Sequence, residues 1–173
     1  MGAGLNKISS YDITSGDSSI TITGLTSQYE VYFMQLNNIK AVSNANLYMR
    51  VTQSGVADDS AIYDYSYNQA FDNSSTITDT GFQGNTVFYL GQNLGSNVTH
   101  PFNCSLYLFN FSTDSEYSLI TQYATFVNNA DRNVSMIGGG QYKGNSIDDG
   151  VYFYLSSGNF DAGQINLYGL RKS

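Results

Sequence analysis

The sequence predicts an all-β fold, an antiparallel β-sandwich of jelly-roll-like type, with residues 1–173 as a single domain. Three observations lead there. Apolar side chains alternate with period two in segment after segment and almost nowhere at helical spacing. Residues that suit a pleated, half-buried surface are abundant, with 15 Tyr and 10 Phe against a single Pro. Of the 14 acidic residues only Glu30 and Glu116 are glutamate; the rest are aspartate, which suits turns better than helices.

In chain order the alternation predicts strands at 8–13, 19–23, 30–36, 47–52, 61–67, 86–90, 102–109, 117–126, 134–137, 151–155 and 165–168. Turn-rich pieces separate them, among them Thr14-Ser15-Gly16-Asp17, Asp72-Asn73-Ser74-Ser75 and Ser156-Ser157-Gly158-Asn159. A short helix also fits 67–72. Within the strands, Leu47, Met49, Val51, Leu106, Leu108, Val151, Phe153, Ile165 and Leu167 occupy the apolar register and are expected to point inward. A chain of this length buries roughly 70% of the surface its unfolded form exposes, so it needs neither disulfides nor a metal to fold. No linker, convincing repeat or low-complexity segment interrupts it.

A net charge of −7 with only 7 Lys and Arg argues against nucleic acid, whose phosphates need clustered cations. The same balance argues against attraction to an anionic membrane. The start Met1-Gly2-Ala3-Gly4-Leu5 has no basic and apolar leader, so folding in the cytosol is expected. Asn6 stands where a myristoylation signal would carry Ser or Thr. Five Asn-x-Ser/Thr sequons begin at Asn73, Asn97, Asn103, Asn110 and Asn133. So many Asn, Ser and Thr generate roughly three to four sequons by chance, so they do not by themselves point to secretion.

Catalytic, metal and cofactor residues are all expected to be absent. His100 is the only histidine and Cys104 the only cysteine. A lone His beside Pro101 lacks metal-ligand spacing, and no Gly-x-Ser-x-Gly elbow accompanies it. Cys104 sits in alternating sequence and reads as an inward small hydrophobe. The carboxylates lie mostly in turns. Asp58-Asp59 and Asp148-Asp149 are the best candidates for a calcium ion, but no Asp-x-Asp-x-Asp loop is present. Gly138-Gly139-Gly140 lacks the lysine and helix of a phosphate loop and reads as a bulge or a close backbone approach. The tyrosines remain. Tyr63, Tyr65 and Tyr67 share one face of a strand, while Tyr152 and Tyr154 oppose the apolar face of another. Outward rows of Tyr suit protein contacts or sugar stacking, so these five are the candidate interface residues; a Tyr-rich core is the alternative.

The C-terminal stretch goes beyond composition. It carries Ser157-Gly158-Asn159, Ala162-Gly163, Ile165, Leu167-Tyr168-Gly169 and Arg171, and Ile22-Thr23-Gly24-Leu25 with Tyr29 and Val31-Tyr32 stands near the start. This pattern resembles small virion proteins of tailed bacteriophages, particularly marine ones. The resemblance implies a non-enzymatic structural protein located in the virion and assembled in the host cytoplasm, most naturally a capsid-surface decoration or cement component. Its implied partners are itself, as a homo-oligomer with a trimer favoured, and other capsid or tail proteins, with a host glycan possible in addition. The alternative is a receptor- or glycan-binding jelly-roll module of a tail fibre or lectin-like protein.

Overall fold

The computed structural model describes residues 4–171. Met1–Ala3 and Lys172–Ser173 lie outside the described residues, and with them the Met-Gly start. The described chain is all-β. Its thirteen strands are β1 (Leu5–Ile13), β2 (Ser19–Thr23), β3 (Tyr29–Ala41), β4 (Ala45–Gln53), β5 (Val56–Ala57), β6 (Tyr63–Phe71), β7 (Thr78–Asn85), β8 (Phe88–Leu94), β9 (Phe102–Phe109), β10 (Ser118–Val127), β11 (Asn133–Tyr142), β12 (Gly150–Leu155) and β13 (Phe160–Arg171). No helix among the described residues is long and apolar enough to cross a membrane.

The strands form two antiparallel sheets packed as a jelly-roll-like sandwich. The larger runs β1-β13-β3-β9-β10-β11-β6-β7. The smaller runs β2-β12-β4-β5, with β8 also paired to β4. All nine side chains expected inward are buried: Leu47, Met49 and Val51 on β4, Leu106 and Leu108 on β9, Val151 and Phe153 on β12, Ile165 and Leu167 on β13. Alternation explains this directly, since residues two apart share a face. Cys104 is buried among them.

Three expectations change. Residues 67–72 do not make a helix, because β6 continues to Phe71 in unbroken register with β11 from Tyr63↔Tyr142 to Val134↔Phe71. The strand β7, Thr-Asp-Thr-Gly-Phe-Gln-Gly-Asn, has no apolar alternation because it is an edge strand exposed along most of its length. The three glycines lie inside β11, not after it, and no bulge marks them. They are a close approach of backbones: a Cβ on Gly140 would stand 2.6 Å from the Asp64 carbonyl oxygen and 2.7 Å from the Phe88 ring.

The early and late stretches that carry the sequence resemblance meet. Arg171 pairs with Tyr29 across β13 and β3, and the Tyr29 ring lies against Gly169, where a Cβ would fall 2.4 Å from its Cγ. The early aromatic and the late Leu-Tyr-Gly are therefore one packing unit.

Candidate binding face

The candidate tyrosines divide. Tyr152 and Tyr154 project from the outer face of the smaller sheet, half-buried, where Tyr154 packs on Tyr48 at 5.3 Å and under the Arg50 guanidinium at 5.2 Å. Tyr63, Tyr65 and Tyr67 do not form an outward row: their exposures are 0%, 6% and 4%. The second sheet covers that face of β6, so the phenyl rings are worth more inside, provided the hydroxyls find partners. Tyr63 manages this fully, accepting from the Val51 N–H at 3.1 Å and donating to the Asp58 carbonyl at 2.7 Å. The groups are nevertheless joined. Ring contacts run from Tyr67 to Tyr65 (6.3 Å), Tyr89 (5.6 Å), Tyr48 (4.6 Å), Tyr154 (5.3 Å) and Tyr152 (5.5 Å), passing from the core around to the outer face.

Three of the four calcium candidates, Asp58, Asp148 and Asp149, accept hydrogen bonds from the protein. Asp58 accepts from the Ser60 N–H at 2.8 Å and from the Tyr142 hydroxyl. Asp148 is fully buried and accepts from Ser118 at 2.5 Å and Gln53 at 3.3 Å. Asp149 accepts from Thr52 Oγ1 at 2.7 Å and the Gly55 N–H at 2.8 Å. Burial pushes the Asp148 carboxyl up to about 6, against the pull of its Ser118 and Gln53 donors. No group of three metal-ligating side chains occurs among the described residues. His100 is nearly buried, with Nε2 3.1 Å from an Asp131 carboxyl oxygen. Burial raises the Cys104 thiol far above its ordinary range, which leaves it inert at neutral pH.

The outer face of the larger sheet is where the surface becomes ordered. Its antiparallel registers line up outward side chains in rows that cross the strands. One row is Leu5-Leu170-Val31-Phe109-Leu119, continuing to Gln141 and Asp64. The next is Lys7-Tyr168-Phe33-Tyr107-Thr121-Gly139-Ser66-Gly81. A third is Ser10-Asn166-Gln35-Ser105-Tyr123-Ile137-Asn68-Asp79.

Over β13, β3 and β9 the first two rows build an apolar and aromatic platform, with Phe33 5.0 Å from Tyr107 and 6.0 Å from Tyr168. Over β11, β6 and β7 the second row shrinks to Gly139, Ser66 and Gly81, and the surface sinks. Two open depressions of about 780 and 540 Å³ share those three residues as their floor, which makes them one trough. On one wall the Asp64 carboxylate accepts from the Gly84 N–H at 2.8 Å, Gln141 Nε2 at 2.9 Å and Lys143 Nζ at 3.0 Å. These donors, the Gly84 N–H first, hold its carboxyl down at about 2. On the other wall Asn68 Nδ2 donates to Asp79 at 2.5 Å. The strand composition signalled neither half, because the rows exist only once the seven strand-pair registers of this sheet are set.

No protein-family model matches the chain, and no curated protein matches it. Among solved structures, a fructofuranosidase variant from Schwanniomyces occidentalis, complexed with fructosylnystose, aligns with 99% of this chain at 9% identity and a TM-score of 0.31. The chain spans 35% of that structure's length, and a likeness this low carries no argument about activity.

Proposed function

We propose that the chain is a non-enzymatic structural protein of a tailed bacteriophage virion, a decoration or cement component that works by contact between subunits. The observation that carries this reading is the platform. Leu5, Leu170, Val31, Phe109 and Leu119 form a continuous apolar row over five strands, backed by Tyr168, Phe33 and Tyr107. Leu5 is 55% and Leu119 40% exposed. A contiguous apolar patch on a flat sheet face marks a protein contact, and Tyr and Phe flanked by amides suit the centre of one. The surface carries few of the Lys and Glu residues that discourage association. The partners in this reading are further copies of the chain, as a trimer, and the capsid or tail subunits beneath. The outward Tyr152 and Tyr154 of the opposite face supply a second contact. The resemblance of both ends to phage virion proteins is what favours a virion location in this reading.

Sedimentation of the purified chain, with cryo-electron microscopy of the particle, tests the reading. A trimer that Phe109→Ser with Leu119→Ser converts to monomer, and density for the chain on the capsid or tail, are the expected results. A monomer at high concentration that is missing from every virion would sink it.

A further inference from the structure

The trough over β11, β6 and β7 has chemistry unlike the platform beside it, and apart from Leu119 at its rim it lies outside the proposed subunit contact. Its floor is backbone and small side chains, Gly139, Ser66 and Gly81, so a ligand can lie close to the sheet. Each wall carries a carboxylate joined to an amide: Asp64 with Gln141 on one side, Asp79 with Asn68 on the other. Toward β10 and β11 each wall ends in an exposed apolar side chain, Leu119 at 40% and Ile137 at 54%.

The lining selects a ligand class by elimination and by fit. Lys143 is the cation on the wall and is already paired with Asp64, while Asp79 adds negative charge, so phosphates, sulfates and acidic chains are disfavoured. The mouth is open and the walls polar, so a lipid or compact apolar ligand gains little. What fits is a molecule with many neutral hydroxyls and an apolar ring face. The Asp79 carboxylate, with one donor from Asn68, can accept from two adjacent hydroxyls, the amides of Gln141 and Asn68 both donate and accept, and Leu119 and Ile137 meet the C–H face. Neighbouring strands lie about 4.8 Å apart, close to the length of one sugar residue in an extended chain, so three strands hold roughly three residues. The floor row continues into Thr121, which extends the polar floor toward β10.

The geometry points to a binding site for a neutral, linear oligosaccharide, lying across β11, β6 and β7 between the Asp64–Gln141 and Asp79–Asn68 walls. Asp64 does not serve as a general acid in this site, because a carboxyl kept ionised by three donors has no proton to give a leaving group. This inference does not depend on the virion reading, since a platform and a trough side by side can serve separate partners.

Gly81 offers a clean test. A Cβ there would meet nothing nearer than 4.0 Å, so a large side chain fills the trough without disturbing the sheet. The full-length chain is titrated calorimetrically with hexasaccharides of α-1,4-glucose, β-1,4-glucose and β-1,4-N-acetylglucosamine. At least one series should bind saturably, Gly81→Phe should weaken it tenfold or more with an unchanged melting temperature, and Phe109→Ser should leave it intact. A sulfated hexasaccharide should not compete. Absence of binding to all three series at millimolar concentration would overturn the proposal. So would binding that Gly81→Phe leaves unaltered while the circular dichroism spectrum shows that variant folded.

Discussion

Thr121 divides one crosswise row of the outer face into two unlike halves. On one side stand Tyr107, Phe33 and Tyr168; on the other, Gly139, Ser66 and Gly81. The backbone beneath is the same antiparallel ladder throughout. Only side-chain volume differs, and it turns one half into a raised apolar platform and the other into a polar trough. One sheet can thus present two recognition surfaces without any loop to build them. The halves also differ in how they tolerate change. The platform is built of side chains, whereas under the trough the β11 glycines pack against neighbouring backbone and leave no space for added atoms, Gly81 on the edge strand being open.

That difference predicts a gradient of effects. Gly140→Val should cost the most, about 3 kcal/mol or more in urea unfolding, because the new side chain meets the Asp64 carbonyl and the Phe88 ring. If the variant unfolds at the wild-type midpoint, the close approach of β11 to β6 is wrong. Leu106→Ala, beneath the platform and fully buried, should cost about 2–5 kcal/mol. A cost near zero would mean that the faces of β9 are reversed, and the platform with them.

Asp148 touches neither half and supplies a control of known sign. Burial raises its carboxyl from 3.8 to about 6 in the folded chain. Between those values the folded state holds more protons than the unfolded state, so this residue's contribution to stability falls as pH rises and stays low above pH 6. Relative to Asp148→Asn, the wild type should lose up to about 3 kcal/mol between pH 4 and pH 7. Parallel stability curves for the two proteins would dismiss the effect. The smallest change belongs to Phe33→Ser on the platform, with a cost of about 1 kcal/mol or less in the isolated chain. A larger loss would mean that this ring is covered by part of its own chain.

Much of the inner architecture was legible in the sequence. Leu47, Met49 and Val51, or Val151, Phe153 and Leu155, announce their faces by local alternation, which needs no partner to be read. The strand β7 was not legible, since an edge strand exposed on both faces has no reason to alternate. The orientation of Tyr63, Tyr65 and Tyr67 was ambiguous for a physical reason. Tyr is content on either side of a sheet, and what decides is the Val51 N–H and the Asp58 carbonyl that meet the Tyr63 hydroxyl, contributed by distant segments. The platform and trough lie further out of reach, because Phe33, Tyr107 and Tyr168 come from three separate stretches that only tertiary pairing sets side by side.

The position of β13 bears on how the chain is made. It is made after every other described strand, yet it lies between β1 and β3, inside the larger sheet. Until it arrives, the nascent chain holds an open slot: the hydrogen-bonding edge of β3 is uncovered and β1 has no strand partner. Such a slot accepts strands from other chains as readily as its own, so translation pauses or truncation before residue 160 should favour intermolecular pairing over folding. Arrival of β13 is therefore the event that closes the sheet, and the Tyr29–Gly169 contact is the latch that secures it.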